Sequence, residues 1–228
     1  MKLSVIIPVF NEEKTIIQIL NKINKSLTVR ENYEIIVVDD GSNDKTSKLL
    51  EDNKDLYDKI FVNSSNKGKG YSVKKGLEHA SGTHIIFQDA DMEYDPKDFK
   101  KFEKIFKEFD ADGIIGSRII YSEYSRSHNI LNKFGNRILT SIFNILYNTT
   151  FTDIYSCYFA FKKELIDEKL LKSNGFEQHA EILCKVIKKG DKFYEVPISY
   201  NGRNLSEGKK IRAYHFFLVL YEIIKQRL

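Results

Sequence analysis

The chain has 228 residues and a formal net charge of +4, and 42% of its residues are hydrophobic while 30% are charged. The length allows one well-buried domain, or a domain with a small appendage, and the composition is that of an ordinary globular protein. Nothing in the sequence resembles the dense basic stripe of a nucleic-acid-binding protein. Cys157 and Cys184 lack CxxC spacing and provide no disulfide framework. A reducing cytoplasm is therefore expected, with both thiols as small core residues.

The N-terminal segment MKLSVIIPVFNEE has one lysine and a short apolar run, which predicts a first β-strand rather than a signal peptide. LSVIIPVF is apolar on both faces, as expected of a central parallel strand. Asn11 is a predicted helix cap, and Ile16, Leu20 and Ile23 follow on one face at helical spacing.

Strands and helices then alternate along the first half of the chain. YEIIVVDD, KIFVNSS, HIIFQDAD and DGIIGSRI predict the second to fifth strands, and GSNDKTSKLLED and NKGKGYSVKKGLEHASG predict helices between them. Units of this length predict an α/β fold with an open, mostly parallel sheet and helices on both faces. Ligands of such sheets bind at the carboxyl ends of the strands.

Charged and polar side chains crowd this predicted edge of the sheet. They follow four of the five strands: Glu12, Asp39, Asp40, Asp89, Asp91, Ser117 and Arg118. A solvated edge also carries scattered polar residues, but several acids at one edge with Arg and Lys nearby favour a binding site.

Asp89 and Asp91 stand one residue apart where the fourth strand ends, in HIIFQDADMEYDP. Like charges this close repel, and burying either of them unpaired is costly, so a cation is expected beside them. Mg²⁺ and Mn²⁺ prefer such oxygen ligands and commonly bind one or two carboxylates together with substrate phosphates. Two aspartates alone are a weak signal, but this pair follows an apolar run rather than lying in a polar loop.

Missing motifs exclude several other kinds of site. The sequence has no GxxxxGK[ST], no GxGxxG after the first strand, no HExxH or clustered His and Cys, and no GxSxG. A glycosidase that uses Asp89 and Asp91 as acid and base is also disfavoured, because neighbours at one strand end are badly placed to flank opposite faces of a sugar ring.

Seven ordered segments carry a resemblance that covers about residues 2–210: SVIIPVFNEE, IIVVDDGSNDKT, NKGKGYSVKKGLEHASG, IIFQDADMEYDP, GSR, TDIYSCYFAFKKEL and FYEVPISYNGRNLSEGKK. Together they resemble the family 2 glycosyltransferases with the GT-A fold. The last two are similar to polyprenyl-phosphate sugar transferases of the dolichol-phosphate mannose synthase type. The resemblance implies one GT-A domain over residues 1–228, with a nucleotide-sugar-binding part to about residue 120 and an acceptor-binding part with a C-terminal helix after it.

The activity that the resemblance implies is inverting, metal-dependent transfer of a hexose from a GDP- or UDP-sugar to a polyprenyl phosphate, with Mg²⁺ or Mn²⁺. The implied donor-binding residues are Pro8, Phe10, Glu12, Asp39, Asp89, Ala90, Asp91, Arg203 and Lys209. Of these residues, Pro8, Phe10, Glu12 and Asp39 are implied to line the pocket for the base and ribose. Arg203 clamps the diphosphate with Lys209 nearby, in a loop that is a predicted lid or, alternatively, merely solvated.

The implied metal ligands are Asp89, Asp91 and Glu93, although the family often has Gln at the position of Glu93. A surface acid near a cap is the alternative role for Glu93. Core packing is the alternative for Phe10, and a turn cap is the alternative for Asp39, although Asp40 is the better candidate for a cap.

The implied catalytic residues are Asp153, Arg118 and Arg203. Arg118 faces a phosphate of the acceptor or donor. Asp153 removes a proton if the acceptor is a hydroxyl, whereas a phosphate acceptor is already anionic and needs only an orienting group. The family usually has Gly where Cys157 stands, so a side chain there narrows the acceptor region.

The segment RSHNILNKFGNRILTSIFNILYNTT carries apolar residues at helical spacing: Ile130, Phe134, Ile138, Ile142 and Leu146. Three cations lie among them: Arg126, Lys133 and Arg137. Such a helix presents cations to lipid phosphates at a membrane interface or, equally, packs on a core. The C-terminal AYHFFLVLYEIIKQRL is too short in its uncharged part to span a bilayer. We expect a cytoplasmic protein at the cytoplasmic face of the membrane, bound peripherally or through a membrane-protein partner.

Two other functions stay open on the sequence. One is transfer to a sugar hydroxyl in surface polysaccharide or glycolipid synthesis, for which Asp153 would be an essential base. The other is a non-catalytic, glycosyltransferase-like binding subunit, which the intact DxD pair, Arg203 and Lys209 disfavour.

Overall fold

A computed structural model gives the structure of the protein and describes residues 1–27, 29–120, 130–203, 210 and 214–228, with the side chains of 130–132 left out. The strands are β1 (Leu3–Val9), β2 (Tyr33–Asp39), β3 (Lys59–Val62), β4 (His84–Phe87), β5 (Gly113–Ser117), β6 (Phe159–Lys162) and β7 (Phe193–Pro197). The α-helices are α1 (Ile16–Ser26), α2 (Thr46–Asp52), α3 (Lys69–His79), α4 (Phe99–Phe109), α5 (Ile130–Tyr147), α6 (Gln178–Ile187) and α7 (His215–Arg227).

The strands form one mixed sheet in the order β3-β2-β1-β4-β6-β5-β7. β1 lies between β2 and β4 and is parallel to both, whereas β6 is antiparallel to β4 and to β5. The five predicted strands are all present, and the mostly parallel sheet is confirmed. β6 and β7 were not predicted, because runs of four and five residues such as FAFK and FYEVP are too short to show a period.

Burial explains why the central strands are apolar on both faces. Every residue of β2 is buried, as is every residue of β1 except Pro8, so both faces of the sheet are covered. Gly76 of α3 lets that helix approach β1, because a Cβ at this position would lie 2.4 Å from Ile6 Cγ2. The carboxyl ends of these strands are therefore the part of the sheet left open for a ligand.

The helix after β1 confirms the predicted apolar face but not the predicted cap. Ile16, Leu20 and Ile23 are fully buried in α1. Asn11 lies outside the helix with a φ of 52°, and its Oδ1 accepts a hydrogen bond from Asn43 N at 2.8 Å. Asn11 therefore ties the loops after β1 and β2 together, and the prediction that it caps α1 was wrong.

The predicted apolar stripe on α5 faces the core only in part. Among the described side chains of this helix Leu139, Thr140 and Phe143 are buried. Of the predicted stripe, Leu146 is partly buried against the core, whereas Phe134 is 62% exposed. The predicted residues Arg126 and the side chain of Ile130 lie outside the described residues. In the part of the chain that the structure describes, no helix is both long and apolar enough to cross a membrane.

A buried carboxylate fastens the amino end of the sheet. Glu34 in β2 is 3% exposed and accepts hydrogen bonds from Ser4 Oγ at 2.6 Å, Gly82 N at 3.0 Å and Lys59 Nζ at 2.9 Å. Burial opposes ionisation, but these bonds and those from Ser81 lower the pKa of Glu34 to about 2. The carboxylate therefore stabilises the folded state.

We expect Glu34→Gln to lower the free energy of unfolding by about 3 kcal/mol at neutral pH, because an amide cannot accept from all of these donors. The folded pKa lies below the ordinary value of 4.5. The contribution of Glu34 is therefore complete above that value and is lost as the pH falls toward 2. Urea denaturation at neutral pH and near pH 3 should show the difference between the two proteins shrinking by at least half. An equal difference at both pH values would contradict this account.

Candidate active site

A cleft of about 720 Å³ opens at the carboxyl ends of β1, β2 and β4. Most of the residues predicted for the site line it: Pro8, Phe10, Glu12, Asp89, Ala90, Asp91, Glu93, Arg118 and Arg203. Asp39 and Asp153 do not, and Lys209 lies outside the described residues. Phe10 is only partly buried and lines the cleft, so it is not a core residue.

Asp39 is turned away from the cleft by the turn that follows β2. Its carboxylate accepts hydrogen bonds from Ser42 N at 3.0 Å, from Ser42 Oγ at 2.7 Å and from Ser47 Oγ. Asp39 therefore holds the turn, which is the alternative role given to it above, and its place in the base and ribose pocket stays a prediction. Asp40, the better candidate for the cap on the sequence, lines the cleft instead.

Asp40 also shapes the glycine-rich loop that leads into α3. Its two carboxylate oxygens accept from Lys67 N at 3.0 Å and from Gly68 N at 2.8 Å. Gly68 has a φ of 97°, and a Cβ there would lie 2.4 Å from Asn174 O, so the position requires glycine. The loop places Lys69 at the start of α3, beside the acids that follow β4.

Lys69 pairs with the first acid of the DxD segment, a partner that the sequence analysis missed. Its Nζ lies 2.5 Å from Asp89 Oδ1. Burial alone would raise the pKa of Asp89 and lower that of Lys69, but their attraction reverses both shifts. The sequence feature that points to Lys69 is its position directly after a glycine-rich segment, but that segment lacks the spacing of a P-loop. Asp89 is therefore neutralised by the protein itself.

Arg203 reaches over the acids from the loop after β7. Its Nη2 lies 2.9 Å from Glu12 Oε1 and 3.1 Å from Asp91 Oδ2. Lys210, next to the predicted Lys209, has its Nζ 2.8 Å from Glu12 Oε1. Burial opposes ionisation of Glu12, but the hydrogen bonds from these two cations lower its pKa. Arg203 therefore lies at the acidic strand ends, and its role as the clamp of the diphosphate stays a prediction.

Asp91 is less well neutralised than its neighbours. Burial, with the charges of Asp89 and Glu93, raises the pKa of Asp91 to about 7, and Arg203 offsets this only in part. A carboxylate whose charge is not balanced is one that a divalent cation fits. Across residues 1–27, 29–120, 130–203, 210 and 214–228, no three His, Cys, Asp or Glu side chains converge as ligands for a metal ion.

Glu93 ties the loop after β7 to the acidic strand end. Its Oε1 accepts from Arg203 N at 2.6 Å, its Oε2 accepts from Tyr200 OH at 2.8 Å, and its carbonyl accepts from Asn201 N at 2.9 Å. The predicted ligand set of Asp89, Asp91 and Glu93 is thus not assembled in this conformation, because each of the three acids contacts a side chain of the protein: Asp89 contacts Lys69, Asp91 contacts Arg203, and Glu93 contacts Tyr200. Here Glu93 positions the backbone of Arg203.

Arg118 and Asp153 form a buried ion pair behind the cleft. Arg118 Nε lies 2.7 Å from Asp153 Oδ2 and its Nη2 lies 2.8 Å from Oδ1, while Asn136 Nδ2 donates to Oδ1 at 2.8 Å. Burial opposes ionisation, but the charge of Arg118 lowers the pKa of Asp153. A fully buried acid with these donors is poorly suited to accept a proton. Its geometry fits the orienting role, one of the two that the sequence left open.

The ion pair fixes Arg118 as a cation at the cleft wall. Its Nη2 also donates to Tyr155 O at 3.1 Å, and its guanidinium carbon lies 5.1 Å from the centre of the Tyr200 ring. Cys157 lines the wall nearby, where burial and the Asp89 carboxylate raise the pKa of its thiol well above the ordinary value. The thiol is therefore protonated at neutral pH and is a packing group of the cleft.

Comparison with known proteins places these observations in a family. The model of glycosyl transferase family 2 matches residues 4–170. The chain is 31% identical over 212 residues to the dolichol-phosphate mannosyltransferase of Pyrococcus furiosus, covering 92% of this chain and 59% of that protein. It is 29% identical over 202 residues to the low-salt glycan biosynthesis hexosyltransferase Agl6 of Haloferax volcanii, covering 88% and 48%. The chain thus spans about half to three fifths of the length of these relatives.

Among solved structures, a similar one is glucosyl-3-phosphoglycerate synthase from Mycobacterium tuberculosis in complex with Mn²⁺, UDP-glucose and phosphoglyceric acid. The TM-score is 0.74 at 18% identity, over 99% of this chain and 79% of that chain. At this identity the likeness concerns the fold alone. It confirms the predicted GT-A architecture.

Proposed function

The chain belongs to glycosyl transferase family 2, and from this membership we propose that it transfers a hexose from a nucleoside-diphosphate sugar to a polyprenyl phosphate with inversion. One observation carries the proposal. The incompletely neutralised Asp91 lies beside Arg203 in the cleft, with Lys210 close by on Glu12. Such a site is stabilised when a divalent cation and a diphosphate arrive together.

The donor side of the proposal rests on complementary charge. Arg203 and Lys210 are the cations for the diphosphate, and Arg203 stabilises the negative charge that grows on the leaving group. Asp91, with Asp89 or Glu93 as a second carboxylate, would hold Mg²⁺ or Mn²⁺, which would supply Lewis-acid stabilisation of the same departing group. The Mn²⁺ and UDP-glucose bound by glucosyl-3-phosphoglycerate synthase support this assignment.

The acceptor side rests on the Arg118–Asp153 pair. A hydroxyl acceptor needs a base, and the carboxylate best placed in sequence for that role already accepts hydrogen bonds from Arg118 and Asn136. A phosphate acceptor carries its own negative charge and needs a fixed cation, which Arg118 is. The similarity to a dolichol-phosphate mannosyltransferase supports the same choice.

The route for a lipid acceptor is suggested by the apolar end of the cleft. Leu139 of α5 and Phe216 and Val219 of α7 line this end. On the outer surface of α7, Phe217 is 70% exposed and Tyr221 is 65% exposed. Apolar side chains beside a cleft mouth are suited to the interfacial region of a bilayer, so the proposal includes peripheral membrane contact.

We expect the double replacement Phe217→Ser and Tyr221→Ser to weaken binding to phosphatidylglycerol-containing vesicles at least tenfold, because two aromatic side chains no longer leave water. Vesicle sedimentation measures the partition. Phe109→Ser is the matched control, because Phe109 is also exposed but lies on α4. Equal partition of the double variant and the wild type would remove α7 from the membrane-binding surface.

The function itself is tested by the release of nucleoside diphosphate from several GDP- and UDP-sugars with Mn²⁺ or Mg²⁺, with and without a short polyprenyl phosphate. Turnover that requires both metal and lipid phosphate supports the proposal and identifies the sugar. Turnover with sugar acceptors alone would replace it by transfer to a hydroxyl. Metal-dependent donor binding without turnover would replace it by a binding subunit.

A further inference from the structure

The N-terminus of α6 brings two side chains to the cleft that no step above uses. Gln178 and His179 are the first residues of this helix, both are buried, and both line the cleft. The helix was not among the elements predicted from the sequence. Its buried polar residues therefore need an explanation from the structure.

Gln178 has a buried hydrogen-bond acceptor without a partner. The side chain is 3% exposed, and its Oε1 receives no hydrogen bond from any residue that the structure describes. Buried polar atoms in native proteins are nearly always paired, and an exception calls for a reason. A ligand that donates a hydrogen bond in the cleft would supply one.

His179 provides a second acceptor beside the first. Its Nε2 lies 3.1 Å from Ile154 O, and a carbonyl can only accept, so Nε2 carries the proton and Nδ1 keeps its lone pair. Burial and the nearby Lys69 lower the pKa of His179 to about 4, so the ring is neutral at pH 7. None of the described residues donates to Nδ1. Tyr155 packs edge-on against the ring at 5.8 Å and restricts its orientation.

These acceptors lie close to Lys69 and Asp89 in the cleft. Gly70 follows Lys69, and a Cβ at Gly70 would lie 2.8 Å from Gln178 Cβ, so Gln178 adjoins the Lys69–Asp89 pair. Pro8 and Phe10, which line the cleft near the end of β1, are assigned to the base. A nucleotide sugar that runs from Phe10 past Asp91 brings its hexose toward α6.

We propose that Gln178 and His179 bind the hexose of the donor, each accepting a hydrogen bond from a sugar hydroxyl. The inference rests on the proposed function and adds a substrate class to it. Two acceptors match a neutral hexose with free hydroxyl groups, and they disfavour a hexuronate, whose carboxylate would bring further acceptors. Sites that hydrogen-bond a hydroxyl reject analogues that lack it far more strongly than apolar pockets discriminate by size.

The test compares the affinity of Gln178→Met for a nucleotide sugar with its affinity for the nucleoside diphosphate alone. Calorimetric titrations use GDP-mannose and UDP-glucose, with GDP and UDP as the sugar-free probes, each with Mn²⁺. We expect the variant to bind the preferred sugar donor at least tenfold more weakly and the corresponding diphosphate within twofold of wild type. Gln18→Met, on the exposed face of α1, is the matched control and should change neither affinity.

Thermal unfolding gives a readout that does not depend on activity. Because the Gln178 acceptor has no described partner in the protein, its replacement by Met should leave the melting temperature unchanged or raise it. If the Met variant does not fold, Gln178→Asn carries the same comparison of affinities. A second comparison uses donors whose sugar lacks one hydroxyl group. The wild type should bind such a deoxyhexose donor more weakly than the hexose donor. For the hydroxyl group that Gln178 binds, Gln178→Met should bind the two donors with equal affinity.

The outcomes separate this inference from the proposed function. If the wild type binds the nucleotide sugars but Gln178→Met binds them equally well, or loses the diphosphate by the same factor, α6 does not read the sugar and the proposed function stands. If the wild type binds neither nucleotide sugars nor nucleoside diphosphates, the proposed function fails and this inference fails with it.

Discussion

Asp91→Asn is expected to lower hexose transfer at least a thousandfold, which is the largest change in activity that we expect from one substitution in the cleft. Asp89 and Glu12 have cations at 2.5 Å and 2.8 Å, whereas Asp91 has Arg203 at 3.1 Å and two acidic neighbours. The amide keeps the size of the side chain and removes its charge. Release of nucleoside diphosphate at saturating Mn²⁺ measures the loss.

The control for this result is Asp95→Asn, in the same loop. Asp95 does not line the cleft, and it caps a short turn by accepting from Lys97 N at 3.1 Å. Its replacement should leave transfer within a fewfold of wild type. Loss of activity in both variants would indicate disruption of the loop and would count against a specific role for Asp91.

The same substitution should have the opposite effect on stability. The folded pKa of Asp91 is raised from 3.8 to about 7, so its ionised form destabilises the fold, fully so above the folded pKa and not at all below 3.8. In the presence of a chelator at pH 8, Asp91→Asn should therefore melt a few degrees higher than the wild type. The gain should disappear as the pH falls toward 4.

Asp153→Asn is expected to destabilise the protein by about 3–5 kcal/mol, because it leaves Arg118 buried without its counter-charge. The melting temperature should fall by about 10 °C. Adding Arg118→Met to Asp153→Asn should recover part of the loss, since the unpaired charge is then gone. Chemical denaturation of the two single variants and the double variant measures this coupling.

The pH profile decides between positioning and base catalysis. If Asp153 only holds Arg118, the activity that remains in Asp153→Asn keeps the acid limb of the wild-type profile. If Asp153 were the base, that limb would disappear and kcat would fall by about 10²–10⁴-fold, with little loss of stability. Glu108→Gln is the control for stability, because Glu108 pairs with Lys104 at 3.8 Å on the exposed face of α4 and its replacement should cost at most about 1 kcal/mol.

The sequence predicted the first half of the fold well because the signals for its strands and helices are local. Five apolar runs end in polar residues, and the helices between them carry apolar faces. The sheet and its binding edge therefore follow from these local patterns of apolar and polar residues. Local patterns do not show which of Asp39 and Asp40 faces the cleft. Neighbouring residues of a strand point to opposite faces, and only the turn after β2 decides which carboxylate Ser42 takes.

Contacts between residues that are distant in the sequence could not be predicted from local patterns. Lys69 meets Asp89, and Gln178 meets the first turn of α3, only because the fold brings β4, α3 and α6 together. The resemblance to a family located Arg203 and implied Glu93 as a metal ligand, although the family counterpart of Glu93 is often Gln. The contacts of Glu93 with Tyr200 and Arg203 appear only in the folded chain.

The position of β6 has a consequence for the synthesis of this protein on the ribosome. β6 lies between β4 and β5, although it follows both of them in the chain. When Ser117 has been synthesised, β5 still lacks both of its neighbours, and the edge of β4 is open to any other strand. The nascent chain must therefore wait for Phe159–Lys162 before its sheet can close. A pause or a truncation within this interval exposes three unpaired edges, one on β4 and two on β5, a state from which chains aggregate.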